Sequence, residues 1–396
     1  MAISQICHRN NCTGCALCEQ VCPNKAIAMK IDSEGFRYPV IDDKKCIECG
    51  LCIKKCPNNC NVNTNKSDFY MGWHKDKDIL LSSSSGGAFS ALADYVLKKD
   101  GVVFGVCKDS DTQEVRHIYV SREEELEKLK LSKYYQSNMS DVFSAVKNFL
   151  CDNRLVLFTG TACQIAGLYS YLEERTIDNL ITMDVLCHGV PSKKVIDAYI
   201  ESQEKRFKKK VVDFSFRIKE GKMGWRRGTR MKLSFLDGTH YSFDSKYDTF
   251  FLGFNENYFL RESCYNCKYC GIERVSDFTF ADFWGCAKIV SPEQLWNGVS
   301  LMLFNSEKAR SLMKEFNERM EIFSVNPEIA IRRNLALTKP QPRPEYRNVF
   351  FLNMEKYGFD KSVKKKLWKR FLKNRVKDFL KKVIPRGIAA RIMKDI

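Results

Sequence analysis

NCTGCALCEQVCPNKAI at residues 11–27 and KCIECGLCIKKCPNNC at residues 45–60 decide how this chain is read. The first runs Cys12-x2-Cys15-x2-Cys18-x3-Cys22-Pro23, and the second repeats it as Cys46, Cys49, Cys52, Cys56 and Pro57. This spacing holds two four-iron, four-sulfur clusters. Three cysteines separated by two residues wrap a short loop around a cuboidal cluster, so each thiolate meets a different iron. The fourth lies beyond a short helical stretch that the following proline limits. In paired-cluster ferredoxins the fourth cysteine crosses to the other cluster. Cys12, Cys15, Cys18 and Cys56 are therefore assigned to one cluster, and Cys46, Cys49, Cys52 and Cys22 to the second. The crossing explains the repeat, because each half completes the other. Zinc sites and disulfide frameworks are the competing readings, but zinc favours separated CxxC pairs. Cys7 and Cys60 lie outside the pattern and read as unligated thiols.

Around this module, 396 residues suggest two or three domains. The 44% hydrophobic content is ordinary for a globular chain. No signal-peptide pattern follows Met1 and no run of 18 apolar residues occurs, which argues against secretion and a spanning helix. Eighteen cysteines with metal-type spacing fit a reducing cytoplasm. The net charge of +17 is uneven: residues 355–396 hold 15 Lys/Arg against 4 Asp/Glu. A basic chain raises nucleic acid as a partner, but no base-stacking or DNA-reading motif supports it.

The expected fold class is an α+β ferredoxin-like two-cluster domain (residues 1–65) followed by an α/β domain (66–338). The second domain has a mainly parallel or mixed sheet, and a linker with a basic amphipathic helical tail (339–396) follows it. Residues 61–68 are polar and read as a linker. Strand-like runs at 101–107, 115–120, 154–160 and 180–186 alternate with helical patterns at 88–98, 141–151, 163–174 and 193–207. Between 211 and 243 the pattern becomes strand-turn-strand, with Asp237-Gly238 as a hairpin signal. A further strand and helix are expected over 300–316, and KPQPRPEY at 339–346 reads as a second linker. In the tail, Leu367, Trp368, Phe371, Leu372, Val376, Phe379 and Leu380 recur at helical spacing. That stripe either packs on its own domain or docks on an anionic membrane surface or acidic partner.

The central region carries weaker signals. Ser84, Ser85, Gly86 and Gly87 open a helix whose free N–H groups and dipole suit a phosphate. Thr159, Gly160, Thr161 and Gln164 follow a strand, where open α/β sheets bind ligands. Cys187 and His188 follow the next strand in the same way, so Cys163 and Cys187 share a sheet edge. His188 is a candidate proton shuttle or a structural residue. Cys264, Cys267 and Cys270, with Cys286 beyond, lack the Cys-Pro completion. With Cys163 and Cys187 they form a candidate further cluster, with zinc as the alternative. SDFTFADF (276–283) suits a strand with Phe278, Phe280 and Phe283 partly buried. The roles of Ser276, Asp277, Asp282 and Trp284 stay open.

In order, SSSSGGAFSAL, LSKYYQSN, VLFTGTACQIAGL, VLCHGVPS and RESCYNCKYCGIERVSDFTFADFWG resemble the coenzyme F-420 hydrogenase/dehydrogenase beta-subunit family. The likeness is to its version with an N-terminal paired-cluster ferredoxin, and covers Cys12 to about residue 335. Ala162 departs from the family's usual proline. The resemblance implies FAD beside a third [4Fe-4S] cluster, with electrons passing between clusters and a substrate. It implies an FAD site at Ser85, Gly86, Gly87, Lys133, Gln136, Thr159, Gly160, Thr161 and Gln164. Lys133 is expected to meet the pyrophosphate or the flavin's pyrimidine edge, and Lys133 and His188 are the candidate catalytic residues. Cys163, Cys187, Cys264 and Cys267 are the favoured central ligands, with Cys270 and Cys286 as alternates. The expected partners are a redox protein or low-potential electron donor or acceptor, and a small-molecule substrate. A subunit that feeds a partner enzyme, with no substrate of its own, is the alternative.

Overall fold

A computed structural model describes residues 6–173, 177–219, 224–227 and 230–383, with 226–227 and 377–383 by backbone alone. In the N-terminal module the two cysteine runs form matching turns. Ala16 and Gly50, each between the second and third cysteines, take left-handed φ values of 61° and 72°. Each starts a four-residue helix, Leu17–Gln20 and Leu51–Lys54. Strands β1 (Ile27–Ile31) and β2 (Arg37–Ile41) pair antiparallel between them.

The central sheet is built from β3 (Asp68–His74), β4 (Val102–Lys108), β5 (Val115–Val120), β6 (Val156–Thr161) and β7 (Leu180–Val185). A small sheet comprises β8 (Val211–Ser215), β9 (Arg230–Phe235) and β10 (His240–Asp244); β11 (Phe278–Asp282), β12 (Ser300–Phe304) and β13 (Met320–Ser324) return to the large one. The eight strands lie in the order β13-β3-β12-β11-β7-β6-β4-β5. Strands β4, β6, β7 and β11 are parallel neighbours, and β12 runs against both β11 and β3. The carboxyl ends of β3, β4, β6, β7 and β11 therefore share one edge. This is a mixed α/β architecture. Val102, Val156, Leu157, Phe158 and Phe278 are fully buried, as strands covered on both faces require.

The strands and helices expected between residues 88 and 207 form within a few residues of their expected bounds. Strands β3 and β13 were not expected. Phe278 and Phe283 are fully buried and Phe280 nearly so, deeper than the partial burial expected. The hairpin turn between β9 and β10 has Gly238 at φ 78°, and the Asp237 carboxylate accepts from the Thr239 N–H.

One apolar cluster joins Ile6, Phe36, Tyr38 and Cys56 of the cysteine module to Phe250, Phe259, Phe350, Phe359 and Val363. Residues 339–346 have no regular structure. Just beyond, buried Arg347 forks onto the Glu34 carboxylate at 2.8 and 2.6 Å. The last helix, Phe359–Val383, buries Phe359, Val363 and Leu367 and half-buries Phe371 against the rest of the chain. Trp368, Leu372 and Val376 stay exposed. Phe379 and Leu380 lie outside the residues whose side chains are described. No helix among the described residues is long and apolar enough to cross a membrane.

Candidate redox centre

The twelve cysteines proposed as ligands fall into three groups. Cys22, Cys46, Cys49 and Cys52 line one hollow with Pro23, Ile27, Ile41 and Leu51. Burial raises the Cys52 thiol, and the neighbouring Cys22 and Cys49 add to it. Cys12, Cys15, Cys18 and Cys56 form the second group. Cys18 is pushed well up by burial and then by Cys15, Cys12 and Cys56. Both groupings follow the crossed pattern read from the spacing. Cys7, expected to be a bystander, stands within hydrogen-bonding reach of Cys12 and Cys56. Cys60 is exposed and donates to the Lys54 carbonyl.

The third group lines a partly open cavity at the sheet's carboxyl edge. Cys163 sits in the first turn of the Ala162–Leu172 helix after β6, and Cys187 follows β7. The loop before β11 brings Cys264, Cys267 and Cys270 to the same cavity. Thr161 Oγ1 lies 3.1 Å from Cys163 Sγ. Burial pushes the Cys163 and Cys264 thiols up to about 12 and about 11. Cys267 drops to about 7 through a hydrogen bond with Cys270. Cys286 is buried in a different cluster with Phe283 and Leu295, so it is not a lining residue. Buried thiols that raise one another electrostatically suit a cationic core, which removes the penalty of ionising them. Among the described residues no three His, Cys, Asp or Glu side chains converge tightly enough to hold one metal ion.

The Cys12 group and the central group are neighbours. A Cβ on Gly167, in the helix that Cys163 opens, would stand 3.4 Å from Cys15 Sγ. Tyr269 lies close enough to Cys163, Cys15, Cys267 and Cys56 for all four to raise its hydroxyl, after burial as the main cause. That hydroxyl is buried and has no hydrogen-bond partner among the described residues. Arg261 is completely buried. Its guanidinium donates to the Cys12 carbonyl at 2.7 Å, Gln136 Oε1 at 3.1 Å and the Arg37 carbonyl at 3.0 Å. It also lies 3.6 Å from Cys12 Sγ and 4.0 Å from the Tyr38 ring centroid. Cys12 is lowered to about 6, first by a hydrogen bond with Cys7, with the Arg261 charge contributing.

The residues expected at a flavin site spread along the same sheet edge. Gly86 packs into the β3–β12 seam, where a Cβ would come within 2.5 Å of the Ser300 nitrogen. Gly87 caps the next helix at φ 88°, and Ser85 Oγ donates to the Val299 carbonyl. Gln164 completes a capping box with Thr161 and donates to Ser137. Thr159 Oγ1 donates to the Phe104 carbonyl, and a Cβ on Gly160 would come within 2.9 Å of Gln164 Oε1. Gln136 reaches the other way, donating to the Thr13 carbonyl of the cysteine module. His188 lines the central cavity, bonds the Phe254 carbonyl at 3.2 Å and packs on that ring. Burial lowers its pKa, opposed by hydrogen bonds to the Phe254 carbonyl and Asn257.

Lys133 is half-buried rather than a free surface charge. Its ammonium meets the Lys130 and Leu129 carbonyls, and burial lowers it to about 8. Lys219, which the sequence reading missed, behaves alike. It donates to the Leu80 and Ser85 carbonyls and is lowered to about 7 by burial and then by Arg217. Ser132 Oγ touches Ser84 Oγ at 3.3 Å, linking the two neighbourhoods. Beside them Arg217 forks onto Asp282, which also accepts from Trp225 Nε1. Trp225 stacks on Trp284 at 5.0 Å. Asp282 and Trp284, left open before, thus build a wall of the edge. The signal for Lys219 was the basic run FRIKEGKMGWRRG, read only as part of a hairpin region.

Residues 69–144 and 153–328 match the N-terminal and C-terminal models of the coenzyme F420 hydrogenase/dehydrogenase beta subunit. Residues 11–60 match a 4Fe-4S dicluster domain. A chain of the F420-reducing [NiFe] hydrogenase complex from Methanosarcina barkeri, solved with xenon, is similar at 15% identity and a TM-score of 0.46. That likeness covers 72% of this chain and 97% of the other. No curated protein matches. With a 4Fe-4S dicluster domain ahead of both halves of the beta-subunit match, the chain belongs to the coenzyme F420 hydrogenase/dehydrogenase beta-subunit family.

Proposed function

We propose that the protein is an iron–sulfur flavoprotein oxidoreductase. It passes electrons between a redox protein and a small organic substrate or deazaflavin-type coenzyme. The observation that carries this reading is the continuity of the cysteine groups. The Cys12 group abuts the central group through Gly167 and Tyr269, and the central group opens on the ligand-binding edge of the sheet. Clusters, when bound, carry electrons singly, and FAD exchanges single electrons for a hydride. In this assignment Cys12, Cys15, Cys18 and Cys56 hold one cluster, and Cys22, Cys46, Cys49 and Cys52 a second. Cys163, Cys187, Cys264 and Cys267 hold a third, with Cys270 close beside it.

The sheet edge fits an anionic cofactor. Lys133 and Lys219 are desolvated ammoniums bonded to backbone carbonyls, and neither has a carboxylate partner among the described residues. A pyrophosphate would supply the missing negative charge. The backbone of Ser85, Gly86, Gly87, Thr159, Gly160 and Thr161 borders this space, with Gln136 and Gln164 fixing its inner wall. His188 would take or give a proton at the ring nitrogen not bonded to Phe254.

The test is cofactor content of anaerobically purified protein, followed by the flavin spectrum on adding candidate substrates. About twelve irons with one FAD per chain are expected, three clusters' worth. About eight irons with zinc and no flavin would refute the central-domain reading. A flavin spectrum indifferent to every small molecule, but bleached by a reduced protein partner, would favour an electron-transfer subunit.

A further inference from the structure

Among the described residues, the last helix has two apolar faces, and one of them is buried. Phe359, Val363 and Leu367 are buried against the body of the chain. Trp368, Leu372 and Val376 follow one another at four-residue steps on the other side, 56%, 54% and 38% exposed. Such a stripe lies along one side of a helix. Packing against the chain's own core therefore does not account for it.

The charges around the stripe indicate what covers it. Lys361, Lys364, Lys365, Lys366, Lys369, Arg370, Lys373 and Arg375 are all exposed on this helix. Only Lys364 and Arg370 reach carboxylates among the described residues, at Asp360 and Glu256. Lys365 and Lys369 flank the stripe without an acidic partner among those residues, and Lys365 covers the exposed Tyr357 ring at 5.4 Å. A second copy would bring another +17 chain against this surface. An aromatic and aliphatic stripe bordered by unpaired lysines matches a helix lying in the interface of an anionic bilayer. We infer that the helix docks the protein on an anionic membrane surface, with Trp368, Leu372 and Val376 inserted and Lys365, Lys369 and Arg375 at the headgroups.

Co-sedimentation of the full-length, cluster-loaded protein with vesicles tests this. Binding is expected to mixed phosphatidylcholine–phosphatidylglycerol vesicles and not to phosphatidylcholine alone, with high salt releasing it. Lys365→Gln and Lys369→Gln should each weaken partitioning about fivefold. Trp368→Glu with Leu372→Glu should abolish it while leaving cluster absorbance intact, because both side chains point away from the core. Equal binding to neutral vesicles would overturn the inference, as would full binding by the Trp368/Leu372 variant. So would absence of vesicle binding together with capture of an acidic protein partner through the same residues. None of these outcomes depends on the flavin assignment, since iron and flavin content are read separately.

Discussion

Arg261→Gln should make the cluster assigned to the Cys12 group harder to reduce. Reduction adds negative charge, and a fixed cation nearby favours the reduced form. Arg261 is completely buried, 3.6 Å from Cys12 Sγ, and has no carboxylate partner among the described residues. At about 7 Å separation and an effective dielectric of about 20, two unit charges interact by about 2 kcal/mol. For one electron that is on the order of 100 mV, so the potential should fall by about that much. The Cys46 group is held elsewhere, in a hollow that Arg261 does not line, and serves as an internal control. Arg261→Lys keeps the charge but loses the fork that bonds the Cys12 carbonyl, Gln136 and the Arg37 carbonyl. It should shift the potential less while still lowering the melting temperature. A redox titration followed by electron paramagnetic resonance reads both clusters in one sample. If both potentials moved together, or neither moved in Arg261→Gln with full iron content, the electrostatic argument would fail.

Three further outcomes follow from other parts of the molecule. Lys133→Met and Lys219→Met should each lower flavin per chain severalfold with iron unchanged, measured by acid release; full occupancy in both would move the flavin site elsewhere. Asp184 is fully buried and accepts from Arg274 at 2.5 Å and Ser276 at 2.6 Å, so Asp184→Ala should cost about 3–5 kcal/mol in denaturant unfolding. Asp248 is raised by burial to about 7, so the folded chain holds this proton more tightly than the unfolded chain, whose value is about 3.9. Its contribution is full below the unfolded value and is lost as pH rises through 7. Asp248→Asn keeps an acceptor for the Phe251 N–H and should melt higher than the parent near pH 8, with the advantage shrinking as pH falls below 7 and vanishing only below about pH 4.

The 4Fe-4S dicluster domain was legible because its cysteine pattern is local in sequence. Even the left-handed turns at Ala16 and Gly50 recur at equivalent places in the two runs. The parallel core was legible for a related reason. Strands such as β4, β6 and β7 are buried on both faces and read as continuous apolar runs between helical periods. Strand β3 escaped because a polar run precedes it and because Gly72 interrupts its alternation. A Cβ on Gly72 would come within 2.5 Å of the Glu321 carbonyl, so glycine permits the close approach of β13. Neither strand announces that pairing locally, since the partners are about 250 residues apart.

The central site divides along the same line. Cys163 and Cys187 could be placed at one sheet edge, because each directly follows a strand. The choice between Cys270 and Cys286 could not be made, because it depends on where the loop before β11 lands. The loop before β11 lands at the cavity and brings Cys264, Cys267 and Cys270 there, whereas Cys286, beyond β11, packs with Phe283 and Leu295. Charged residues are harder still. Arg261, Arg217 and Lys219 look like ordinary surface bases in sequence, and only tertiary packing removes their water. Arg217 finds Asp282 sixty-five residues away, while Arg261 and Lys219 find mainly carbonyls. A buried cation left without a carboxylate has no reason to persist in an apolar protein interior unless another negative charge arrives. For Arg261 that charge is the thiolate of the proposed cluster, and for Lys219 the proposed pyrophosphate, so cofactor loading should raise stability most where these two side chains are intact.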